Sequence, residues 1–575
     1  MGPSHRLSAR RVADVTRAAG FAAEHVGYLR PSMKLSTHST TLRRAAKSLF
    51  GWTALRPHQL AAMRAVMKRR DALVVLPTGA GKSAIYQIPA SLIPGPTVVI
   101  SPLLALQQDQ IAALNERQRP ELRAVRISSN ESAAQQAEAI AEIRDGRAEF
   151  LFITPEQLAN PDRMAEVRSL KPALVAIDEA HCISAWGHDF RPDYLALGHL
   201  IDGIGRPPVV ALTATASPPV RDDIIARLRL TEPEVVVSGL DRPNLFLEVA
   251  HCPTEDYRWR RLTALLRDDT RPGIIYVPTR RSAEELAARL TDAGFPAQYY
   301  HGGMAAGARA ELHEAFLADQ VPIMVATSAF GMGIDKPNIA WVAHMALPDS
   351  PDSYFQEIGR AGRDGAPARV LLLWQAEDVG LQRFFSGGLP DPDELRDLSA
   401  LLRKKARNKK ELREVTGLGP RKLGQYLALL EQVGAAEPRA KQRIGAPRYS
   451  PAPVDAAAAA LAEAERQQTV TRSRTDMMRA FAETTACRGQ TLLAYFGEQM
   501  TEVCGHCDNC HAGTSTPDDG SVGPFPVHSQ VRHPEWGHGL VLSYEEDRMT
   551  VLFDEVGYKT LSVSVVSEQG LLTLD

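Results

Sequence analysis

Between about residues 70 and 375 the chain repeats one unit, a short strand of almost uninterrupted apolar residues followed by an amphipathic helical stretch. Ala72–Leu76, Thr97–Ile100, Phe150–Ile153, Leu174–Ile177, Val209–Leu212, Gly273–Val277 and Ile323–Ala326 are such strands. A strand with no polar alternation has no face to offer water, so both faces must be covered, and the intervening helices cover them. The pattern therefore predicts an α/β protein with two parallel-sheet lobes. They meet near Leu240-Asp241-Arg242-Pro243 and leave a cleft between them.

Composition narrows the class. With 575 residues, 44% hydrophobic and 23% charged, the chain can fill several ordinary cores, and it is no collagen, disulfide-stapled or mainly disordered protein. A net charge of −2 gives no global attraction to nucleic acid, so only a local basic patch could supply one. No apolar run is long enough to cross a membrane, so no membrane contact is expected. Residues 1–40 lack the apolar core and cleavage site of a secretory signal and read as a loosely ordered extension. Four of the six cysteines crowd between Cys487 and Cys510, which points to a metal site in a reducing cytoplasm.

The first strand runs into Pro77-Thr78-Gly79-Ala80-Gly81-Lys82-Ser83 and then a helix. Glycines let backbone N–H groups curl around phosphates, and the helix N-terminus favours their negative charge. Lys82 is expected on the β/γ-phosphates and Ser83 on Mg²⁺. Leu76 replaces the first glycine of the general pattern. Asp178-Glu179 follows another strand and so projects at the same sheet edge, where Asp178 would hold Mg²⁺ and Glu179 would orient or deprotonate the attacking water. A packing turn and a helix cap are the plainer readings of the two motifs.

These residues resemble a superfamily 2 helicase, specifically the RecQ family of DNA helicases, over roughly residues 48–385 and again over Cys487–Cys510. The resemblance implies two RecA-like lobes, ATP and Mg²⁺ as ligands, and DNA as the track, travelled 3′ to 5′. Phe50-Gly51-Trp52 with Arg56-Pro57-His58-Gln59 looks like the family's adenine-recognition motif, with Trp52 stacking on the base and Gln59 pairing with its edge. Ile100-Ser101-Pro102-Leu103 and Thr154-Pro155-Glu156 look like strand-gripping motifs, and Ala211–Ala216 like the one that couples hydrolysis to movement. His181–Pro192 resembles the aromatic loop that senses single-stranded DNA, with Trp186 and Phe190 as stacking faces and Arg191 as a phosphate contact. In the second lobe Ala326–Pro337 and Gln356–Gly365 complete the set. Arg360 and Arg363, three apart, can face the cleft together, Arg363 being the first choice for the γ-phosphate and Gln356 lying beside the nucleotide.

Cys504-Gly505-His506-Cys507-Asp508-Asn509-Cys510, with Cys487 upstream, suits tetrahedral Zn²⁺, and iron–sulfur ligation is the rival. The arrangement closely resembles the RecQ zinc-binding subdomain. Its role would be structural.

The family usually places a winged helix after this knuckle; here a short linker and an acidic module follow instead. Residues 400–450 hold thirteen Lys or Arg against four Glu, or +9. Lys409–Thr416 reads as a helix, Gly417-Leu418-Gly419 as a turn, Pro420–Val433 as a second helix and Arg439–Tyr449 as a wing. This looks like a winged helix-turn-helix with Arg421 and Lys422 on DNA, although the turn also suits a helix-hairpin-helix. From Val527 onward the balance is −5, and alternating strands with glycine turns resemble a Tudor-like barrel known from superfamily 1 repair helicases, where it binds RNA polymerase.

The expected layout is therefore an extension (1–40), lobe 1 (41–240), lobe 2 (241–390), a winged-helix-like unit (399–452), a helical zinc subdomain (453–512), a linker (513–526) and a β module (527–575). The expected function is an ATP-dependent 3′–5′ DNA helicase in repair or recombination, acting on single-stranded and forked DNA. It would be cytoplasmic and nucleoid-associated, with RNA polymerase as a candidate partner of the β module. The competing readings are a DNA-dependent translocase with weak strand separation and a winged-helix regulator with little ATPase activity.

Overall fold

The computed structural model describes residues 37–102, 104–184, 194, 196–331, 336–385, 388–439, 443–498, 500–515, 523–527, 529–545, 547–554 and 556–574. Lobe 1 holds β1 (Ala72–Val75), β2 (Thr97–Ile100), β3 (Ala124–Ile127), β4 (Phe150–Ile153), β5 (Leu174–Ile177), β6 (Val209–Thr213) and β7 (Glu234–Val237), all parallel, in the order β3-β4-β2-β5-β6-β1-β7. Burial follows from that order. The five inner strands are buried at every position, whereas the edge strands β3 and β7 carry half-buried or exposed residues such as Arg126 and Glu234.

Lobe 2 repeats the logic with β8 (Leu245–His251), β9 (Gly273–Tyr276), β10 (Ala297–Tyr300), β11 (Ile323–Ala326), β12 (Trp341–His344) and β13 (Ala368–Trp374), parallel in the order β10-β11-β9-β12-β13-β8. Again the edge strands, β10 and β8, are the least buried. The lobes join through residues 238–244, between β7 and β8.

Helices Pro392–Lys404, Lys409–Thr416 and Pro420–Gln432 follow, with a three-stranded wing made by β14 (Arg407–Asn408), β15 (Glu437–Arg439) and β16 (Arg443–Gly445). Asn408 and Glu411 form a capping box at the start of the middle helix, and Gly417 ends it in the left-handed region. A 31-residue helix, Pro453–Glu483, then leads to the cysteine cluster. The end module is an antiparallel sheet of β17 (Gln530–His533), β18 (Gly537–Glu545), β19 (Arg548–Phe553), β20 (Gly557–Ser562) and β21 (Thr573–Leu574), in the order β20-β19-β18-β17-β21. It has its own small core around Val531, Val551 and Phe553. It is also fastened to the rest of the chain, because Leu542, Leu552 and Tyr558 belong to the core that runs through both lobes.

Among the described residues no helix is long and apolar enough to cross a membrane. Helix Thr37–Phe50 starts inside the stretch read as an extension. Residues 1–36 and residues 516–522 of the linker lie outside the described residues, as do Leu103 and residues 332–335.

Candidate active site and nucleic-acid interface

Strands β5, β6 and β1 are neighbours, so the loops after them open side by side at one sheet edge. After β1, Gly79 (φ +80°) and Gly81 (φ +77°) take left-handed conformations that L side chains rarely adopt, which curls the backbone from Thr78 into the helix Ala84–Ala90. Lys82 Nζ donates to the Leu76 carbonyl at 3.1 Å, folded back over its own loop. Burial lowers the Lys82 pKa and the nearby Arg363 lowers it further, while Glu179 and Asp178 oppose both. All four groups therefore share one electrostatic neighbourhood. Ser83 sits at the N-cap of the helix.

Asp178 is buried at the end of β5, and its N–H donates to Ile100 O of β2 at 2.8 Å. Burial and the adjacent Glu179 push its carboxyl up to about 6, against the pull of a Gln110 bond and Lys82. Gln110 Nε2 donates to Asp178 Oδ2 at 2.8 Å, and Tyr86 Oη donates to Gln110 Oε1 at 3.1 Å. Glu179 has φ +49°, a left-handed conformation in a non-glycine residue, which turns its side chain toward His181. The His181 ring lies 3.3 Å from Glu179 Oε2 and 2.9 Å from Thr213 Oγ1 at the end of β6. Burial opposes protonation of His181, but Cys182 and Glu179 outweigh it and hold the imidazole above its usual range. Gln110, Tyr86 and the His181–Thr213 contact carried no signal in the sequence, because long-range partners of a carboxylate have no fixed spacing.

Lobe 2 brings its arginines to this edge. Helix Pro351–Ile358 is capped by Ser350, and the turn after it holds Gly359–Arg363. A methyl group built on Gly79 would meet the Arg363 side chain at Cγ, 3.6 Å away, and one on Gly359 would meet Thr78 Oγ1 at 3.9 Å. The Arg363 stem thus crosses the phosphate loop from the opposite lobe. Arg360 is buried and donates to the Gly331 carbonyl. Together the arginines act on Tyr276, whose hydroxyl burial raises. Gln356 is buried on the same helix. The hinge clamps the arginine turn. Arg242 donates to Ala361 O at 2.8 Å and Gly362 O at 3.0 Å, and Asn244 donates to Gly362 O and Ala366 O at 2.8 and 2.9 Å. From sequence the segment containing Arg242 read only as a boundary.

The candidate base site is placed differently from the simple expectation. Trp52 is half-buried, 5.1 Å from the Phe50 ring, and Arg56 is exposed. The Gln59 amide, however, is spent on the chain itself. Its Nε2 donates to Ala80 O (3.0 Å) and Gly81 O (3.3 Å), and its Oε1 accepts from Arg56 N–H at 3.0 Å. Gln59 braces the phosphate loop in this structure.

The four thiols converge. Sγ of Cys487, Cys504, Cys507 and Cys510 all lie within 4.8 Å of one another. A tetrahedral ion with Zn–S bonds of about 2.3 Å has edges of about 3.8 Å, so a single zinc fits the set, whereas a four-iron cube would hold the sulfurs farther apart. Backbone N–H groups of Cys504 and Cys510 donate to Cys487 Sγ (3.1 Å) and Cys507 Sγ (3.4 Å), as suits thiolates. Gly489 permits the approach, since a Cβ there would fall 2.7 Å from Cys504 Cβ. The knuckle grips lobe 2: Leu247 N–H donates to His506 O (3.1 Å) and Val249 N–H to Asp508 Oδ2 (2.8 Å).

Of the DNA candidates, Trp186, Phe190 and Arg191 lie outside the described residues. Arg421 is exposed at the start of helix Pro420–Gln432. Lys422, also exposed, is turned back into an ion pair with Glu394 at 2.6 Å and lies over the Tyr426 ring. At the end of the stretch read as the wing and four residues past β16, Tyr449 is 88% exposed with the Arg448 guanidinium over its ring, an aromatic face that reading by charge passed over.

Comparison with known proteins bears on this geometry. Residues 56–224 match the DEAD/DEAH box helicase family, 258–365 the helicase conserved C-terminal domain, 454–511 the RecQ zinc-binding family and 528–569 a protein family of unknown function, DUF3553. The chain is 37% identical over 379 residues to a probable ATP-dependent DNA helicase RecS of Bacillus subtilis, covering 65% of this chain and 76% of that one. It is 41% identical to the ATP-dependent DNA helicase RecQ of the same organism, over 58% of this chain and 56% of that one. With RecQ of Haemophilus influenzae it shares 33% identity over 81% and 62% of the two chains. Among solved structures, the helicase MrfA bound to DNA and AMPPNP shares the fold, with a TM-score of 0.50 at 18% identity, over 72% of this chain and 62% of that one.

Proposed function

We infer track, direction and residue roles from the premise that this chain belongs to the RecQ family of ATP-dependent DNA helicases. On this reading it steps 3′ to 5′ along single-stranded DNA and opens forks during repair or recombination. The observation that carries it is the Arg363 side chain of lobe 2 laid over Gly79 in the phosphate loop of lobe 1. Nucleotide bound there is touched by both lobes at once. Hydrolysis removes the γ-phosphate that joins them, and the lobes part.

The proposed roles follow from the neighbourhood. Lys82 leaves the Leu76 carbonyl for the β/γ-phosphates, and the loop N–H groups from Thr78 to Ser83 cradle them. Ser83 and Asp178 would hold Mg²⁺, which neutralises phosphate charge when bound. Glu179 orients the attacking water, held in place by its left-handed backbone and by His181. Through Thr213, the same histidine links the acidic pair to the segment after β6. Arg363 reaches the γ-phosphate, while Arg360, pinned on Gly331, fixes the turn and completes the positive side. Trp52 and Gln59 receive the base, Gln59 exchanging the loop carbonyls for the adenine edge, with Arg56 and Gln356 flanking. Zinc on the four cysteines is structural, locking the knuckle to β8.

For DNA, the +9 unit with Arg421, Lys422 and the wing contacts duplex or fork backbone, and the aromatic loop of Trp186, Phe190 and Arg191 follows the single strand. A cytoplasmic, nucleoid-associated setting suits reduced thiols and a DNA track. The acidic module, at −5, favours a protein partner such as RNA polymerase over phosphate. Equal recovery of partners by intact and module-deleted chains would remove that role. The deciding experiment compares ATP turnover with single-stranded, duplex and forked DNA in wild type and Lys82→Ala. Strong DNA stimulation, abolished by the substitution, is expected; DNA-independent turnover overturns the reading. Stimulation without fork opening would favour a translocase.

A further inference from the structure

The zinc subdomain reaches both lobes through the short segment Tyr495-Phe496-Gly497-Glu498. Its first two residues, both buried, face lobe 2 at the end of helix Arg488–Tyr495. The Tyr495 hydroxyl donates to Asp352 Oδ2 in the first turn of helix Pro351–Ile358. The Phe496 ring packs on Phe355 of that same helix, with centroids 4.8 Å apart. With the knuckle already bonded to β8, the subdomain is one body with lobe 2.

The remaining contacts of the segment run to lobe 1 and the hinge. Arg221, on helix Pro218–Arg227, donates from Nη2 to the Phe496 carbonyl at 2.7 Å, across 275 positions of sequence. Gly497 (φ +72°) permits the approach, since a Cβ there would lie 2.9 Å from Arg221 Nη2 and 2.9 Å from Pro218 Cγ. Glu498 then accepts the N–H of Leu240 at 3.2 Å. Both ends of this tie lead to the nucleotide edge. Helix Pro218–Arg227 follows the stretch whose Thr213 touches His181, and helix Pro351–Ile358 leads into Arg360 and Arg363. One cavity is lined jointly by Thr78 of the phosphate loop, Asp241 of the hinge, Gly359 of the arginine turn and Leu492 of the zinc subdomain.

We propose that the zinc subdomain is a latch between the lobes, and that Arg221 is a positioning residue for ATP hydrolysis. By holding the Phe496 carbonyl, Arg221 ties lobe 1 to the body that carries the arginine helix, and so sets where Arg363 falls on the phosphate loop. It acts through Arg363 and not on the nucleotide. A zinc site that only stabilised lobe 2 would need neither a charged donor from lobe 1 nor a left-handed glycine to admit it.

This role presupposes the ATPase reading above, and two kinds of measurement separate them. DNA-stimulated kcat/KM for ATP is compared in full-length wild type, Arg221→Met, Arg221→Lys and Gly497→Ala, with zinc per chain as the check on folding. Arg221→Met is expected to lose about tenfold, as for one hydrogen bond from a charged donor, and to keep its zinc. Gly497→Ala, which pushes the same contact apart from the other side, should lose a similar factor, and Arg221→Lys should recover part of it. Because Arg221 works through Arg363, adding Arg221→Met to Arg363→Ala should cost less than twofold more in single-turnover hydrolysis. Energy transfer between one dye on each lobe reads the latch without turnover, and Arg221→Met should widen the distance distribution. Wild-type kcat/KM in Arg221→Met, a full tenfold loss on top of Arg363→Ala, or an unchanged distance distribution overturns the proposal. A wild type with no DNA-stimulated turnover overturns the motor reading instead, and the distance distribution then decides the latch.

Discussion

Replacing Arg363 with alanine tests the arrangement most directly. The side chain crosses Gly79 with its Cγ 3.6 Å from the position a methyl group would take, and it is near enough to lower the pKa of Lys82. A guanidinium in contact with phosphate charge at about 4 Å, at an effective dielectric of about 20, is worth about 4 kcal/mol. At about 1.4 kcal/mol per decade that is about a thousandfold in rate, the lower end for an arginine that completes a phosphoryl-transfer site. Because the contact forms across the cleft, the loss should fall on kcat, with nucleotide affinity changed less than tenfold. Single-turnover ATP hydrolysis at saturating single-stranded DNA, paired with equilibrium binding of a fluorescent ATP analogue, measures both. Arg363→Lys keeps the charge but not the planar fork, so it should recover only part of the rate. A kcat within tenfold of wild type for Arg363→Ala, or a loss seen only as weaker binding, would refute the reasoning.

Other expectations follow from the same contacts. Chelation or Cys504→Ser should release about one zinc per chain by elemental analysis and lower the melting temperature, because His506 and Asp508 then lose their hold on β8. Glu149, pushed by burial from its ordinary 4.5 up to about 8, stays protonated in the fold at a pH where the unfolded chain has lost the proton. Its contribution to stability is full below about 4.5 and is lost as pH rises through about 8, so Glu149→Gln should raise the melting temperature at pH about 8 and leave it nearly unchanged at pH about 4. Tyr449→Ala should weaken DNA binding by about 1–3 kcal/mol in fluorescence anisotropy, the worth of one stacked base, without altering basal ATP turnover. Arg421→Ala should reduce the salt slope of DNA binding by about one unit.

Much of this was legible in the sequence for physical reasons that particular residues make plain. Parallel strands buried on both faces cannot alternate, so Leu73–Val75 and Leu174–Ile177 announced themselves, and a left-handed turn through Gly79 and Gly81 leaves few alternatives to a phosphate cradle. The helix boundaries around Gly417 were equally plain, because capping chemistry is local. The edge strands carried weaker signals: Ala297–Tyr300 is half open to water and breaks the apolar run. The charge of Lys422 is visible in the sequence, whereas its ion-pair partner Glu394, on a separate helix, is not.

The amino-acid order by itself determined the repeating strand–helix units, the phosphate turn, the acidic pair and the quartet of thiols, since each depends on neighbours along the chain. Tertiary structure alone decided which arginine crosses the cleft, that Gln59 leans on the loop, and that Arg242 and Asn244 clamp the arginine turn. The hydrogen bonds among them join residues 21 to 122 positions apart. Their energies come from burial and from distances of a few ångströms, which exist only once the sheets have brought their edges together.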